Sequence, residues 1–230
     1  MLRAVTVAAI IQARMSSARF PGKVLRDLEG KPVLAHVVSR LRRSRELDGV
    51  FVATSTDSED DPVAAWCVSA EVPCHRGSLD DVAARFAQVV SGEGLDAFVR
   101  ISGDSPLIDP DLVDDFVRRL RSRRLDVVTN VFPRSFPPGQ SVEVVAGDAY
   151  ARALALMEGP DDREHVTPVL YRRAETFEIE NVTLDPPRRD VHLAIDDADD
   201  LARCERLLQA GAGDKSVREL IALYDGCDAS

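Results

Sequence analysis

Short apolar runs alternate with amphipathic helical patterns along most of the chain. The runs cover residues 5–11, 50–53, 97–101 and 127–128, and they have the length and composition of buried strands. Between them lie two stripes of apolar residues at helical spacing, which we expect to pack against a sheet: Leu34, Val37, Val38 and Leu41, and Leu112, Val113, Phe116, Val117 and Leu120. The alternation predicts an α/β fold in which a mainly parallel sheet is flanked by helices.

A segment with three prolines and a glycine, residues 132–139, interrupts this pattern and predicts a loop between two halves. Beyond it we expect a strand over residues 141–145 and helices near 148–157 and 164–171. Two final helices, predicted to pack back on the sheet, carry apolar residues at helical spacing: Leu201, Cys204 and Leu208, then Val217, Leu220, Ile221 and Tyr224. The prediction is one domain over residues 1–230.

Composition and charge narrow the classes of function. The chain has 230 residues and 45% hydrophobic content, which suffices for one buried core. Its net charge of −10 argues against broad nucleic-acid binding, which needs a basic surface. Four widely spaced cysteines indicate neither a zinc site nor a disulfide framework, and no apolar stretch is long enough for a membrane helix. We therefore expect a cytoplasmic protein that binds neither nucleic acid nor membrane.

The loop after the first predicted strand is unusually basic. Residues 11–26 contain four basic residues and no acid, in a chain that is acidic overall. Arg14, Arg19 and Lys23 are accompanied by small residues, including Ser16 and Gly22, so the loop is suited to cradle a polyphosphate. A solvated surface loop is the alternative interpretation. Val24 follows Lys23 where a P-loop requires Ser or Thr, so this loop is not a P-loop.

Two carboxylates are candidate metal ligands. Asp104 follows the strand predicted over residues 97–101, and the carboxyl ends of parallel strands meet at the edge where ligands bind. Asp196 precedes a helix that begins near Ala198, but the neighbouring Asp197 is an equally good helix cap, so the acidic run is explained largely without function. A nucleotidyl transfer would need such carboxylates for Mg²⁺.

Ordered blocks across nearly the whole chain resemble the CTP-dependent sugar nucleotidyltransferases, which include acylneuraminate and 3-deoxy-octulosonate cytidylyltransferases. The nearest branch is the spore-coat polysaccharide cytidylyltransferase group. The blocks cover residues 10–25, 30–41, 52–55, 75–82, 100–109, 163–168 and 194–196, and they include RISGDSPLID after the third strand and REHVTP in the second half.

The resemblance implies roles for particular residues. The nucleotide would be bound by Gln12, Ala13, Arg14, Ser16, Arg19 and Lys23, with Arg14, Lys23 and Asp104 as catalytic residues. Mg²⁺ would be held by Asp104 and Asp196, which matches the family's Ile-Asp ligand. Base and ribose would be bound by Arg76, Gly77, Ser78 and Asp81. Helix capping explains that last block equally well, and both interpretations stay open.

The second half would supply the acceptor site. A small arm, approximately residues 131–190, is implied to bind the acceptor and to form a homodimer. Its candidate acceptor-binding residues are Glu143, Arg163, Glu164 and His165. Gly139-Gln140-Ser141-Val142-Glu143 departs from the Gly-Leu-Asp-Val-Glu common in the nearest branch, since a hydroxyl replaces a carboxylate at Ser141. The acceptor is therefore expected to differ from that of the branch.

The resulting hypothesis is an Mg²⁺-dependent cytidylyltransferase. It would transfer CMP from CTP to a small anionic or hydroxylated acceptor, such as a sugar acid or a phosphonate, and release pyrophosphate. Two alternatives belong to other classes: a nucleotide-sugar glycosyltransferase on a similar fold and a non-catalytic nucleotide-binding regulator. The basic loop favours a triphosphate donor over a sugar diphosphate. The presence of both candidate metal carboxylates argues against the regulator.

Overall fold

The computed structural model describes residues 5–228. Its main sheet contains seven strands: β1 (Val7–Gln12), β4 (Gly49–Ser55), β5 (Cys74–Gly77), β6 (Ala97–Ser102), β7 (Val127–Thr129), β8 (Glu143–Ala146) and β9 (Ile179–Asn181). A separate small hairpin pairs β2 (Asp27–Leu28) with β3 (Lys31–Pro32). The helices are α1 (Val33–Leu41), α2 (Asp61–Ser69), α3 (Val82–Gly92), α4 (Pro110–Arg123), α5 (Gly147–Ala155), α6 (Pro160–His165), α7 (Pro168–Arg172), α8 (Ala198–Gln209) and α9 (Val217–Asp228).

The main sheet has the strand order β5-β4-β1-β6-β8-β7-β9. The first four strands in this order are parallel, as are β7 and β9, whereas β8 is antiparallel to both of its neighbours. This topology confirms the prediction of an α/β fold with a mainly parallel sheet. The segment 131–190 contributes β8 and β9 to the same sheet.

The sheet is covered on both faces because successive side chains of a strand point to opposite sides. On one face, Ile11 of β1 packs in a buried cluster with α1 and α4. On the other, Ile10 and Phe98 pack with α3 and α5. The two stripes predicted between the strands, on α1 and α4, are buried except Leu112, which is half-buried. Among residues 5–228, no helix combines the length and apolar character needed to cross a bilayer.

Arg40 of α1 connects the segment between α8 and α9 to the loop after β6. Its guanidinium is buried and donates hydrogen bonds to the carbonyls of Ile108, Ala212, Gly213 and Lys215 at 2.6–3.1 Å. Burial, followed by the nearby positive charge of Arg43, lowers the pKa of Arg40 to about 10. This clamp fixes the segment before α9 against α1. The loop that carries Asp104 lies next to the clamped Ile108.

One predicted helix is wrong in detail. The structure divides the expected helix over residues 164–171 into α6 and α7. Val166 between them has a φ of 72°, which the helix cannot accommodate, and Pro168 starts the next helix at a position where its missing N–H costs nothing. The break leaves Glu164 and His165 at the end of a short helix instead of at the start of the predicted one.

Candidate active site

The loops that follow β1 and β6 border one cavity at the carboxyl edge of the sheet. The two strands are adjacent, and Gln12 at the end of β1 pairs in register with Ser102 at the end of β6. The cavity has a volume of about 310 Å³. Its lining is rich in cations and hydroxyls: Gln12, Arg14, Ser16, Ser17, Ala18, Arg19, Lys23, Val24, Arg100, Ser102, Gly103, Asp104 and Asp196. Seven of the residues expected at the nucleotide and metal sites are therefore brought together here.

Two local features give the basic loop its shape. Gly22 has a φ of 72°, a conformation that favours glycine, and its N–H donates to the carbonyl of Met15 at 2.8 Å. The buried carboxylate of Asp60 accepts the N–H of Met15 at 2.6 Å and the hydroxyl of Ser55 at 2.5 Å. These contacts tie the loop to the end of β4. Lys23 then begins a single 3₁₀ turn and is directed into the cavity.

Gly103 allows the two loops to approach each other. Its N–H donates to the carbonyl of Gln12 at 2.9 Å. A side chain at this position would bring a Cβ within 3.0 Å of that carbonyl oxygen and 3.1 Å of the Ala13 Cβ. Ala13 itself is buried and donates its N–H to Ala53, so it supports the cavity through its backbone. The close approach places Asp104 opposite the basic loop.

Lys23 joins the two candidate metal ligands. Its Nζ lies 2.5 Å from Asp104 Oδ2 and 2.9 Å from Asp196 Oδ1. The Lys23 side chain is only 13% exposed and that of Asp104 17%, so this part of the network is shielded from solvent. Burial acts to lower the pKa of Lys23, but the charges and hydrogen bonds of Asp104 and Asp196 outweigh it and raise the pKa above its ordinary value. Lys23 is therefore charged at neutral pH.

The adjacent acids Asp196 and Asp197 have different partners. Asp196 also contacts Arg19, at 3.1 Å. Burial opposes ionisation of Asp196, but Lys23 and Arg19 together hold its pKa below the ordinary value. Asp197 instead accepts the N–H of Asp200 at 2.9 Å and caps α8. The structure thus directs Asp196 into the cavity and assigns Asp197 the capping role.

Of the residues expected at the acceptor site, Glu164 contacts the basic loop from α6, but none of the three on α6 lines the cavity. Glu164 Oε1 lies 3.2 Å from Arg14 Nη2. Arg163 contacts the Asp81 carboxylate at 2.8 Å and thereby ties α6 to the start of α3. His165 is exposed. The short helix therefore contacts both the basic loop and the predicted base-binding block.

The base-binding block makes the capping contacts that the alternative interpretation requires. Asp81 accepts the N–H of Ala84 at 2.8 Å, and Ser78 accepts that of Asp81 at 3.0 Å. Arg76 donates to the carbonyls of Ser55 and Asp57, which directs it away from the cavity. The block consists of Arg76, Gly77, Ser78 and Asp81. None of these four residues lines the cavity.

Glu143 is a buried member of a charged network. It is 3% exposed and contacts Arg100 at 2.6 Å and the hydroxyl of Tyr171. Burial, strengthened by the charge of Glu143, raises the pKa of Tyr171 well above its ordinary value, so Tyr171 is a neutral donor. Arg100 Nη2 also reaches Gln12 Oε1 at 3.4 Å, and Arg100 lines the cavity. Glu143 thus contacts the cavity through Arg100.

Arg100 lines the cavity and Arg85 lies beside the predicted base-binding block, and neither was among the predicted site residues. Arg100 had a detectable signal, because it is a lone cation within the apolar strand β6. Arg85 is fully buried and donates to the Ser78 carbonyl at 2.8 Å. Burial lowers its pKa, an effect opposed by the charge of Asp60 and reinforced by that of Arg14. Arg85 lies on α3, and its position in the sequence does not indicate that it contacts the Ser78 carbonyl.

The donor set limits the kind of metal site that can form. Within residues 5–228 no group of three or more His, Cys, Asp or Glu side chains is arranged to hold an ion. The cavity offers instead two carboxylates, Asp104 and Asp196, that converge on one ammonium group. Mg²⁺ is commonly bound by one or two carboxylates together with substrate phosphates and water. The donor set therefore fits an Mg²⁺ ion that arrives with a phosphorylated ligand.

Comparisons with known proteins match this description. A family model described as cytidylyltransferase matches residues 8–217. The spore coat polysaccharide biosynthesis protein SpsF of Bacillus subtilis is 31% identical over 227 residues, which cover 94% of this chain and 92% of SpsF. A cytidylyltransferase structure from Leptospira borgpetersenii serovar Hardjo-bovis superposes with a TM-score of 0.93 at 26% identity, over 98% of this chain and 96% of that one. A CMP:2-keto-3-deoxy-manno-octonic acid synthetase solved with CTP has the same fold, with a TM-score of 0.68 at 18% identity over 89% of this chain and 99% of that one.

Proposed function

The chain belongs to the cytidylyltransferase family, and from that premise we propose that it transfers CMP from CTP to a small anionic or hydroxylated acceptor. Pyrophosphate is the second product, and Mg²⁺ is the cofactor. The family match favours nucleotidyl transfer over the glycosyltransferase and regulator alternatives. The metal and the residue roles are argued from the geometry of the cavity, and the acceptor class from the names of relatives.

The observation that carries the proposal is the grouping of three cations from one loop opposite two carboxylates. Arg14, Arg19 and Lys23 all line the cavity, as do Asp104 and Asp196. Arginine can engage phosphate oxygens with two parallel hydrogen bonds, whereas lysine acts as a compact point charge. We assign the three cations to the triphosphate of CTP. Gln12 and Ser16, also in the lining, are assigned to the same ligand.

Asp104 and Asp196 are the residues that would hold Mg²⁺. Bound there, the ion would stabilise negative charge on the phosphates. In the transfer, the acceptor oxygen forms a bond to the α-phosphorus while the bond to the departing pyrophosphate breaks. Arg14 and Lys23 orient the phosphates for this displacement and offset the charge of the leaving group.

The acceptor is assigned to the side of the cavity bordered by α6 and Arg100. Glu164 contacts Arg14, and Glu143 contacts Arg100, so each carboxylate is linked to the cavity through one arginine that lines it. His165 is exposed nearby, and Arg163 holds α6 in place through Asp81. A sugar acid is the acceptor class named by relatives such as the 3-deoxy-manno-octulosonate cytidylyltransferase of Geobacter sulfurreducens, 38% identical over half of this chain.

A cytoplasmic homodimer completes the proposal, with the segment 131–190 as the dimer-forming arm. Phe132 in this segment is 44% exposed and stacks on Tyr171, which leaves an apolar surface on the arm. The four cysteines are free thiols, as expected in a reducing compartment. Light scattering combined with gel filtration tests the dimer, since a monomeric mass would contradict it.

Pyrophosphate release tests the function. Purified protein would be incubated with Mg²⁺, each of four nucleoside triphosphates and a panel of sugar acids that includes 3-deoxy-manno-octulosonate. The proposal predicts acceptor-dependent release with CTP as the preferred donor. Equal use of UTP, ATP or GTP would contradict the cytidylyl assignment. Release that persists unchanged in the Asp104→Asn variant would remove Asp104 from the site.

A further inference from the structure

We propose that Lys23 and the divalent cation compete for the same pair of carboxylates, so that CTP makes room for the metal by drawing Lys23 onto its phosphates. The inference rests on the proposed function and adds a binding order to it. Without nucleotide, Lys23 fills the cation position. With nucleotide, the metal can replace it.

The first step follows from the position of Lys23 between the two carboxylates. Lys23 Nζ is within hydrogen-bond distance of both Asp104 Oδ2 and Asp196 Oδ1, at 2.5 and 2.9 Å. Mg²⁺ requires oxygen ligands at about 2.0–2.1 Å in a nearly octahedral arrangement and gives up its water reluctantly. An ammonium group that already contacts both carboxylates blocks this arrangement. The metal therefore has to displace Lys23 before it can use the two carboxylates together.

The second step, the need for nucleotide before the metal, follows from the charges in the cluster. Asp104 and Asp196 are already offset by Lys23 and Arg19, which contacts Asp196 at 3.1 Å. A doubly charged cation that entered alone would leave this neutral, partly buried cluster with an excess of positive charge. Lys23 is only 13% exposed, so solvent screens that excess poorly. A triphosphate removes the excess because its oxygens accept both the lysine and the metal.

Lys23 is able to make the exchange. It begins a short 3₁₀ turn after Gly22, and its side chain lines the same cavity as Arg14 and Ser16. A lysine ammonium is carried on a flexible four-carbon stem, so it can move between carboxylate and phosphate without a change in the backbone. Nucleotide and metal then favour each other's binding, and this coupling is reciprocal.

Binding of Mn²⁺ alone, without nucleotide, tests the competition. Free Mn²⁺ would be measured by electron paramagnetic resonance during titration of wild type, Lys23→Gln and Lys23→Ala. Lys31→Ala is the matched control, because Lys31 is an exposed lysine on β3. Removal of the competing ammonium is expected to tighten Mn²⁺ binding by about ten-fold or more, and Lys31→Ala to leave it unchanged. Adding Asp104→Asn to Lys23→Gln should remove the gain.

Equal Mn²⁺ affinity in wild type and in both folded Lys23 variants would overturn the competition. Circular dichroism establishes folding, and Lys23→Gln preserves a hydrogen-bond donor of similar length if the alanine variant does not fold. The outcome is separable from the proposed function. If wild type releases pyrophosphate from CTP but the Lys23 variants bind Mn²⁺ no more tightly, only the competition is rejected. If the Lys23 variants bind Mn²⁺ more tightly but wild type does not use CTP, only the proposed enzymatic function is rejected.

Discussion

The neighbouring acids Asp196 and Asp197 provide a sharp mutational test. Asp196 contacts Lys23 and Arg19 in the cavity, whereas Asp197 caps α8. Both residues would be changed to Asn, which removes the charge with little change in shape. A group that stabilises charge in a transition state contributes about 2.7–4 kcal/mol, or about 100- to 1000-fold in turnover. We expect a loss of this size for Asp196→Asn.

The Asp197 variants should preserve turnover, and only the alanine variant should lower stability. Asn is as good a helix cap as Asp, so Asp197→Asn should preserve both turnover and stability. Asp197→Ala removes the contact to the Asp200 N–H, and a lost cap costs about 0.5–2 kcal/mol. For a chain of this size, each kcal/mol lowers the melting temperature by about 2–4 °C. Activity should survive this loss of stability.

Pyrophosphate release and thermal unfolding, measured on the same preparations, separate the two roles. Asp196→Asn should lower turnover with a small change in melting temperature, because its side chain is 40% exposed and exposed pairs contribute at most about 1 kcal/mol. Asp197→Ala should do the reverse. If Asp197→Asn abolishes turnover while Asp196→Asn retains it, the assignment of the metal ligand is wrong.

Three further predictions follow from other contacts. Arg14→Ala should weaken CTP binding by about ten-fold or more and CMP binding by less, because Arg14 is assigned to the triphosphate. Calorimetry measures both affinities, with Arg26→Ala as the control because Arg26 is exposed. Equal losses for CTP and CMP would reject the triphosphate assignment. Arg40→Met leaves the buried carbonyls of Ile108 and Ala212 without this donor, which costs about 1–3 kcal/mol for each, so an unchanged melting temperature would refute the clamp. The folded pKa of Asp196 lies below its ordinary value, so its stabilising contribution exists above about pH 4 and is lost as pH falls through the folded pKa. The free-energy gap between wild type and Asp196→Asn in denaturant titrations should therefore shrink on acidification, and a constant gap would contradict the pairing.

The sheet and half of the cavity could be predicted because they follow from local patterns. The apolar run that becomes β1 and the run that becomes β6 are short and bounded by polar loops, so their parallel arrangement followed from the alternation with helices. The carboxyl ends of parallel strands share one edge, which is why Arg14 and Asp104 were expected to lie together. This rule alone was enough to place the two residues at one edge of the sheet.

Other parts of the site depend on contacts between distant residues. Asp196 is 173 residues from Lys23, so their contact depends on the packing of the segment before α8, where Leu193 and Ile195 are buried in one cluster with the helices α8 and α9. The burial of Glu143 against Arg100 requires β8 to lie antiparallel beside β6, a pairing that strand patterns do not specify. The break at Val166 is a backbone conformation unusual for a branched residue, so helical periodicity could not reveal it.

A crystal structure of the protein with CTP and Mg²⁺ is the most direct test of the central claim. We expect the triphosphate to lie in the cavity in contact with Arg14, Arg19 and Lys23, and the metal to be bound between it and the carboxylates of Asp104 and Asp196. We also expect Lys23 to have left both carboxylates. A triphosphate bound elsewhere on the chain, or a metal that contacts neither aspartate, would contradict the account.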